Sequence, residues 1–580
     1  MKYFRILLTF FTAGLVIYAC SKKYLDKRAL GELDEAALAN KKGVEGLLIG
    51  AYSLLDGIGG NKSGFGSAGS NWIYGSICGS EAYIGSFQND RGNTSIAAFE
   101  RFTATATNED LASKWGTLYD GIQRANDVLR IMKKAKDISE ADQKRIAAEA
   151  KFLRAHYHFE AKKMWNKVPY IDESISYTAG NYRVGNDKDI WPDIENDLKY
   201  AVDSLPPTSD RGVGRAIKYT AMALLAKAYI FQKKFAEAKP LLEAITSSGK
   251  YQLVNYHNNF NPETKNSSES VFSVQMSVND GAAGLNGNYG DLSNFPGTGM
   301  FGSQPGACCG TFQPSQYLVN HFKTDAITGL PDLDNFNVVN VKYDSALKST
   351  DPFTPYTGTL DSRLDWTVGR RGIPYLDWGN HPGNDWIIDQ NYGGPYSPKK
   401  NVYYKSQETH LTDAEFWGNV TTANNVNLIR YADVLLWAAE VEVEIGSLEK
   451  AKDYVNEVRR RAADPSGWVK KADGTPAANY KVGEYTNAWT DKSFAIKAVR
   501  YERMLELAME GHRFFDLVRW GIADTEINAY IQKEKQMRTY LNSVVFKKNC
   551  NEYFAIPQTQ IDLSAGSDGV RKMKQNPSCN

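Results

Sequence analysis

The residues able to do acid–base or metal chemistry are few and poorly grouped. His156 and Glu160 stand one helical turn apart and would share a metal ion if a third ligand followed, but His158 faces elsewhere and none announces itself. Glu502, Glu506 and Glu510 line one helix face beside Arg500, Arg503 and His512, a pattern that ion pairing explains without catalysis. The sequence holds no His-Glu-x-x-His and no Gly-x-Ser-x-Gly, and Gly60-Asn61-Lys62-Ser63 lacks the order and spacing of a phosphate loop. Paired carboxylates for glycoside hydrolysis require only a separation in space, so a surface glycosidase remains an alternative. The expectation is a protein that is not an enzyme, with no cofactor and no metal.

Binding chemistry is better supplied. Aromatic residues make up 12% of the chain, with 33 Tyr and 12 Trp, and such rings offer flat apolar faces with a polar tip. The densest group lies between Leu364 and Tyr404: Trp366, Arg370, Arg371, Tyr375, Trp378, His381, Trp386, Tyr392 and Tyr396, interleaved with Gly and Asn. It reads as a ligand cradle or partner surface through Trp366, Tyr375, Trp378, Trp386 and Tyr392. The competing reading is a Trp/Tyr-pinned irregular core. A net charge of +1 gives no electrostatic case for nucleic acid.

Six cysteines, Cys20, Cys78, Cys308, Cys309, Cys550 and Cys579, show no metal-ligand spacing. With Cys20 set aside, the odd remainder argues against a disulfide framework. Lys2 and Arg5 precede an apolar run from Ile6 to Ala19, too short for a stable bilayer span. The run ends Val16-Ile17-Tyr18-Ala19-Cys20 and turns abruptly polar, which resembles a bacterial lipobox, although Tyr18 is bulky for its place. Residues 1–19 are then a signal peptide and 20–40 a tether lipidated at Cys20, which would hang the protein from a membrane by acyl chains. An ordinary secretory signal with an incidental Cys is the alternative.

The elements that must position these residues are helical. Periodicity predicts helices over Val44–Leu55, Asp110–Lys134, Ala141–Trp165 and from Asp189 to Leu205, with a flexible Gly/Ser/Asn-rich loop from Gly57 to Ser80. Two helical hairpins follow the same pattern. Ile217–Gly249 carries apolar stripes on both arms. Leu428–Ala463 repeats them, with Gly446 as a left-handed stop and Ser447 as the next cap. Such a hairpin cannot bury its stripes without a neighbour. Both copies resemble degenerate tetratricopeptide repeats. From Tyr251 to about Asn427 the helical rhythm stops, apart from one strand at Ser270–Ser277; an excursion of that length must be packed and has function as its best reason. A further helix runs from Ser493 to Glu510, with a break at Gly511.

Together these pieces resemble the SusD/RagB family of outer-membrane nutrient-binding lipoproteins. The matching stretches are Trp115-Gly-Thr-Leu-Tyr-Asp-Gly-Ile-Gln-Arg-Ala-Asn126, Ala150–Tyr157 leading to Trp165–Tyr170, Arg430–Leu436, Ile556-Pro557 and Gln575-Asn576-Pro577. The most specific is Arg500-Tyr-Glu-Arg-Met-Leu-Glu-Leu-Ala-Met-Glu-Gly-His-Arg-Phe-Phe-Asp-Leu-Val-Arg-Trp-Gly521. The resemblance implies a mainly α fold: a tetratricopeptide-repeat-like helical scaffold, about 41–250 and 428–580, carrying an irregular, loop-rich ligand-binding portion, about 251–427. It implies a lipoprotein of the outer membrane, exposed at the cell surface, that captures oligosaccharides for a SusC-like TonB-dependent β-barrel transporter. Peptide capture, or a tetratricopeptide-type adaptor binding only protein, is the alternative. The basic Ser21-Lys22-Lys23 departs from the acidic residues that often follow the lipidated Cys in surface-exported members. By position, the family's binding arc falls on Tyr83, Phe87, Gln88 and Asp90, and on Tyr289, Asp291, Phe295 and Phe312; packing or solvent exposure is the alternative for each.

Overall fold

The computed structural model describes residues 35–58, 64–86, 94–281, 310–400, 402–413 and 421–576. Helix α1 (Lys41–Tyr52) starts on Asn40, whose side chain accepts from the Gly43 N–H and so satisfies one donor that a helix start leaves open. Strand β1 (Ala82–Gly85) and the short α2 (Thr94–Glu100) precede the first long pair. That pair is α3 (Glu109–Met132), capped by Asn108, and α4 (Glu140–Trp165), capped by Ser139. Next come α5 (Trp191–Ser204), with Pro192 in its first turn, α6 (Lys218–Phe231) and α7 (Phe235–Thr246).

The excursion begins with β2 (Ser270–Val274) and includes β3 (Thr311–Pro314), α8 (Gln316–His321) and α9 (Gln390–Gly393). It returns along β4 (Val426–Arg430) into α10 (Tyr431–Ile445) and α11 (Leu448–Ala463). The chain finishes with α12 (Lys492–Leu507), α13 (Arg513–Trp520), α14 (Ala523–Glu534) and irregular segments.

Each helix from α3 to α7 packs on its successor, and α7 packs directly on α10, which in turn packs on α11 and α12. The two hairpins are therefore spatial neighbours, each burying the stripe the other could not bury alone, and the excursion is looped out between them. Its base is pinched shut because β2 and β4 pair antiparallel, from Ser270 opposite Arg430 to Val274 opposite Val426.

A buried charge cluster locks the excursion to the scaffold. Arg430 meets Glu510 through both guanidinium edges, Nε to Oε2 at 2.9 Å and Nη2 to Oε1 at 2.9 Å. It also pairs with Glu269 at 2.8 Å and with Glu506. From the excursion, Arg363 reaches Asp361, Glu502 and Glu506, while Arg459 pairs with Glu502. The Glu face of α12 is thus an ion-paired core. Burial alone would raise Glu506, but Arg461, Arg430 and Arg363 outweigh it and hold the carboxylate well below its ordinary range.

The stretch from Glu510 to Trp520 is equally structural. Arg503 and Arg519 both bond Asp516 at 2.8 Å, and the Trp520 indole N–H donates to Glu440 at 3.0 Å. Gly511 lies so close to the turn at Trp72–Ile77 that a Cβ on Gly75 would sit 1.8 Å from the Gly511 carbonyl oxygen. That contact corrects one expectation. The Gly57–Ser80 segment is no flexible loop where it is described, since Trp72–Ile77 is wholly buried.

Two smaller expectations also change. Gly446 has φ −130°, which is not left-handed; its place is set by space, because a Cβ there would meet Glu442 Oε2 at 1.9 Å. Cys550 is disulfide-bonded, whereas Cys78 is free and buried.

Candidate functional site

Strand β1 pairs antiparallel with β3: Ala82 with Pro314, Tyr83 with Gln313, Gly85 with Thr311. The Ser86 N–H adds a hydrogen bond to the Gly310 carbonyl at 2.6 Å. The two candidate segments, some two hundred residues apart, therefore start from one spot. Gly85 has φ +78°, and a Cβ there would meet the Gly310 oxygen at 2.1 Å, so the crossing requires glycine. Phe87, Gln88, Asp90, Tyr289, Asp291, Phe295 and the lipidation candidate Cys20 lie outside the described residues.

The two described members of the arc are core residues, which corrects the expectation for them. Tyr83 is wholly buried. Its hydroxyl donates to the Glu534 carboxylate and accepts from the Gln316 N–H at 3.2 Å, and the Arg538 guanidinium lies 5.2 Å from its ring centre. Phe312 takes a left-handed φ of +58° that turns its ring inward onto Trp72, centroid to centroid 5.4 Å. Neither ring has a face to offer a ligand.

The other constellation divides. Tyr375 and Trp386 are buried edge to face at 5.6 Å, with Tyr375 donating to the Pro398 carbonyl. Trp366 stacks on His257 at 4.4 Å and donates to Gly467 O at 2.7 Å; Trp378 donates to Tyr403 O at 3.1 Å. Arg370 is bidentate to Asp365 at 2.6 and 2.8 Å, and Arg371 donates to the Ser349 and Asp351 carbonyls. These residues pin the irregular segment together; Tyr375 and Trp386 are enclosed, which corrects the cradle reading for those two, while Trp366 and Trp378 are half-buried with their indole N–H groups already engaged.

Tyr392 is buried as well, but beside the β1–β3 sheet. It stands at the end of α9, which packs against β1, with Gly393 set so that a Cβ there would lie 3.3 Å from the Gly85 Cα. Its ring meets Tyr540 at 4.5 Å, and its hydroxyl accepts from Arg101 Nη2 at 3.2 Å. The Arg101 guanidinium lies 5.6 Å from the Tyr540 ring centre, and both residues are half-buried. Tyr540 in turn donates to Glu100 at 2.8 Å. Burial raises Glu100 and Glu534 to about 7. Gln313 Oε1, on the same sheet, is buried with no hydrogen-bond partner.

Tyr392 and Gln313 are buried, so what this group offers beside the two segment ends is the half-buried Tyr540 ring and Arg101 guanidinium, an aromatic face and donors of the kind that meet a sugar. Nothing in the sequence singled out Arg101, Gln313 or Tyr540, because each is isolated among unremarkable neighbours.

The enzyme-like residues are otherwise engaged. Glu160 pairs with Lys163 at 2.7 Å and accepts from Asn71 at 2.9 Å, and burial lowers the His156 pKa to about 4. His158 is held by the Arg154 carbonyl and the Ile171 N–H. Among the described residues no group of three His, Cys, Asp or Glu is placed to hold a metal ion.

Comparison with known proteins gives a consistent result. The family model described as "SusD family" matches residues 268–578, and a second, "Starch-binding associating with outer membrane", matches 57–230. SusD-like protein P25 of Formosa agariphila is 27% identical over 423 residues, 71% of this chain and 70% of that protein. Among solved structures, a SusD homologue from Bacteroides thetaiotaomicron aligns at TM-score 0.66 and 22% identity, covering 94% of this chain and 99% of that one. Surface glycan-binding protein A from Bacteroides thetaiotaomicron, in complex with laminarihexaose, aligns at 0.60 and 17% identity, covering 93% and 99%.

Proposed function

The chain belongs to the SusD family, and from that membership we propose that it captures oligosaccharides and delivers them to a TonB-dependent outer-membrane transporter. In this reading it is a lipoprotein anchored through Cys20 after removal of residues 1–19, displayed at the cell surface, and it carries out no catalysis. The observation that supports the reading is the β1–β3 pairing, which brings together the ends of two sequence segments otherwise far apart. Support comes from relatives described as binding laminarin and laminarihexaose. In this reading Arg101 and Tyr540 contact the ligand, Tyr392 and Gln313 support them, and Tyr289 and the other loop candidates supply further contacts.

Calorimetric titration of the full chain with laminarihexaose, maltohexaose and xylohexaose tests the capture step. At least one should bind, and Arg101→Ala and Tyr289→Ala should each weaken that binding about tenfold, as expected for one charge-assisted hydrogen bond or one stacking contact. Binding that neither substitution alters would move the site elsewhere. A protein that binds none of the three, but binds peptides or folded proteins, would favour the adaptor reading.

A further inference from the structure

A second aromatic platform stands on the loop between α4 and α5, with no described hydrogen bond or ring contact to the β1–β3 site. Tyr177 is 83% exposed, and its ring lies 4.6 Å from that of Tyr182 at 38°. The Arg183 guanidinium covers Tyr182 at 4.4 Å, and among the described residues it makes no hydrogen bond or ion pair. Its Nε is buried without a partner, so the two terminal nitrogens are the donors left available.

The loop does not need Tyr177 to keep its shape. Glu173 is tied to Arg154 at 2.7 Å, while Asn186 donates to the Lys167 and Lys574 carbonyls at 3.0 and 2.8 Å. Between these anchors, Asn181 accepts from the Ser176 N–H and donates to the Ser174 carbonyl. A large exposed ring on a pre-ordered loop, stacked on a second ring that carries an unpaired guanidinium, presents a rigid face with fixed donors. Rigidity of that kind lowers the cost of binding.

We propose that Tyr177, Tyr182 and Arg183 form a second saccharide-binding platform, taking one or two pyranose units of a glycan chain. The apolar face of a sugar would lie on Tyr177 while Arg183 donates to its hydroxyl or carboxylate oxygens. A single ring platform binds weakly, but a long glycan held at the main site would gain from a second contact by effective concentration. The proposal rests on the glycan-capture reading, and the experiment separates the two.

A single 3-fluorotyrosine is placed at position 177 of the full chain and its ¹⁹F resonance followed during titration with laminarihexaose, maltohexaose and xylohexaose, alongside calorimetry. The expected result is a saturable shift of that resonance with at least one saccharide, its apparent affinity weakened about two- to tenfold by Arg183→Gln. Tyr177→Ala should leave the thermal midpoint unchanged. Calorimetric binding with a static resonance would overturn the platform and leave the function standing. No binding by either measurement would overturn both. A resonance that moves only with phosphatidylethanolamine vesicles would replace the saccharide by a membrane surface and overturn the proposal.

Discussion

At the residue scale, burial rather than sequence neighbourhood sets the chemistry around the β1–β3 sheet. Glu81 is wholly enclosed and its pKa is raised to about 8 by that burial, with Glu100 and Glu534 near 7. A carboxyl whose folded pKa lies above its unfolded value, about 4.3, is bound to more protons in the folded state across the interval between them. Its contribution to stability is whole below that unfolded value and is lost as pH rises through the folded one. Glu81→Gln removes this loss. The stability of the variant relative to the parent should therefore increase with pH between about 5 and 8, by up to about 1.4 kcal/mol per unit. Lys399, which burial lowers to about 7, and the buried histidines His156 and His381 are present in both proteins and cancel in the difference. Thermal midpoints at pH 5, 6, 7 and 8 give the slope; a flat difference would mean that Glu81 ionises normally.

At the element scale, the excursion behaves as a loop tied at its neck. The β2–β4 pair closes it, and Arg430, at the last residue of β4, joins Glu269 just before β2 to Glu506 and Glu510 around the end of α12. Replacing Arg430 by Ala strands buried carboxylates without their counter-charge, and removing one partner of such a pair typically costs about 3–5 kcal/mol. The expected outcome is a lowered thermal midpoint, together with faster proteolysis inside 275–425 as the neck opens. A midpoint within a degree of the parent would show that the cluster adds little to the net stability. Periodicity located this part of the chain well, since α10 and α11 begin within three residues of the predicted arms. It could not show that Arg430, Glu506 and Glu510 meet, because 76 to 80 positions separate them in sequence.

At the scale of the whole molecule, the helices form a scaffold whose consecutive members stack, with the irregular portion and the β1–β3 site carried beside it. No helix among the described residues is long and apolar enough to cross a membrane. The proposed attachment to a membrane is through lipid on Cys20 and a transporter partner. Gentle detergent extraction of native membranes followed by mass spectrometry should recover a β-barrel transporter in equal amount. Repeated recovery of the protein alone would argue for a free-standing binder.

The sequence by itself determined the long scaffold helices, the two hairpins and the family, because helical periodicity, capping residues and motif order are local properties of the chain; the shorter α2, α8 and α14 carried no such signal. Only the tertiary structure decided which aromatic rings are available. Tyr83, Phe312, Tyr375, Trp386 and Tyr392 look as suitable as Tyr540 when read along the chain, yet the first five are enclosed by residues distant in sequence. Exposure depends on packing between segments that a one-dimensional reading cannot bring together. For the same reason the pairing of Gly85 with Thr311, which joins the ends of two distant segments, has no signal in either stretch alone.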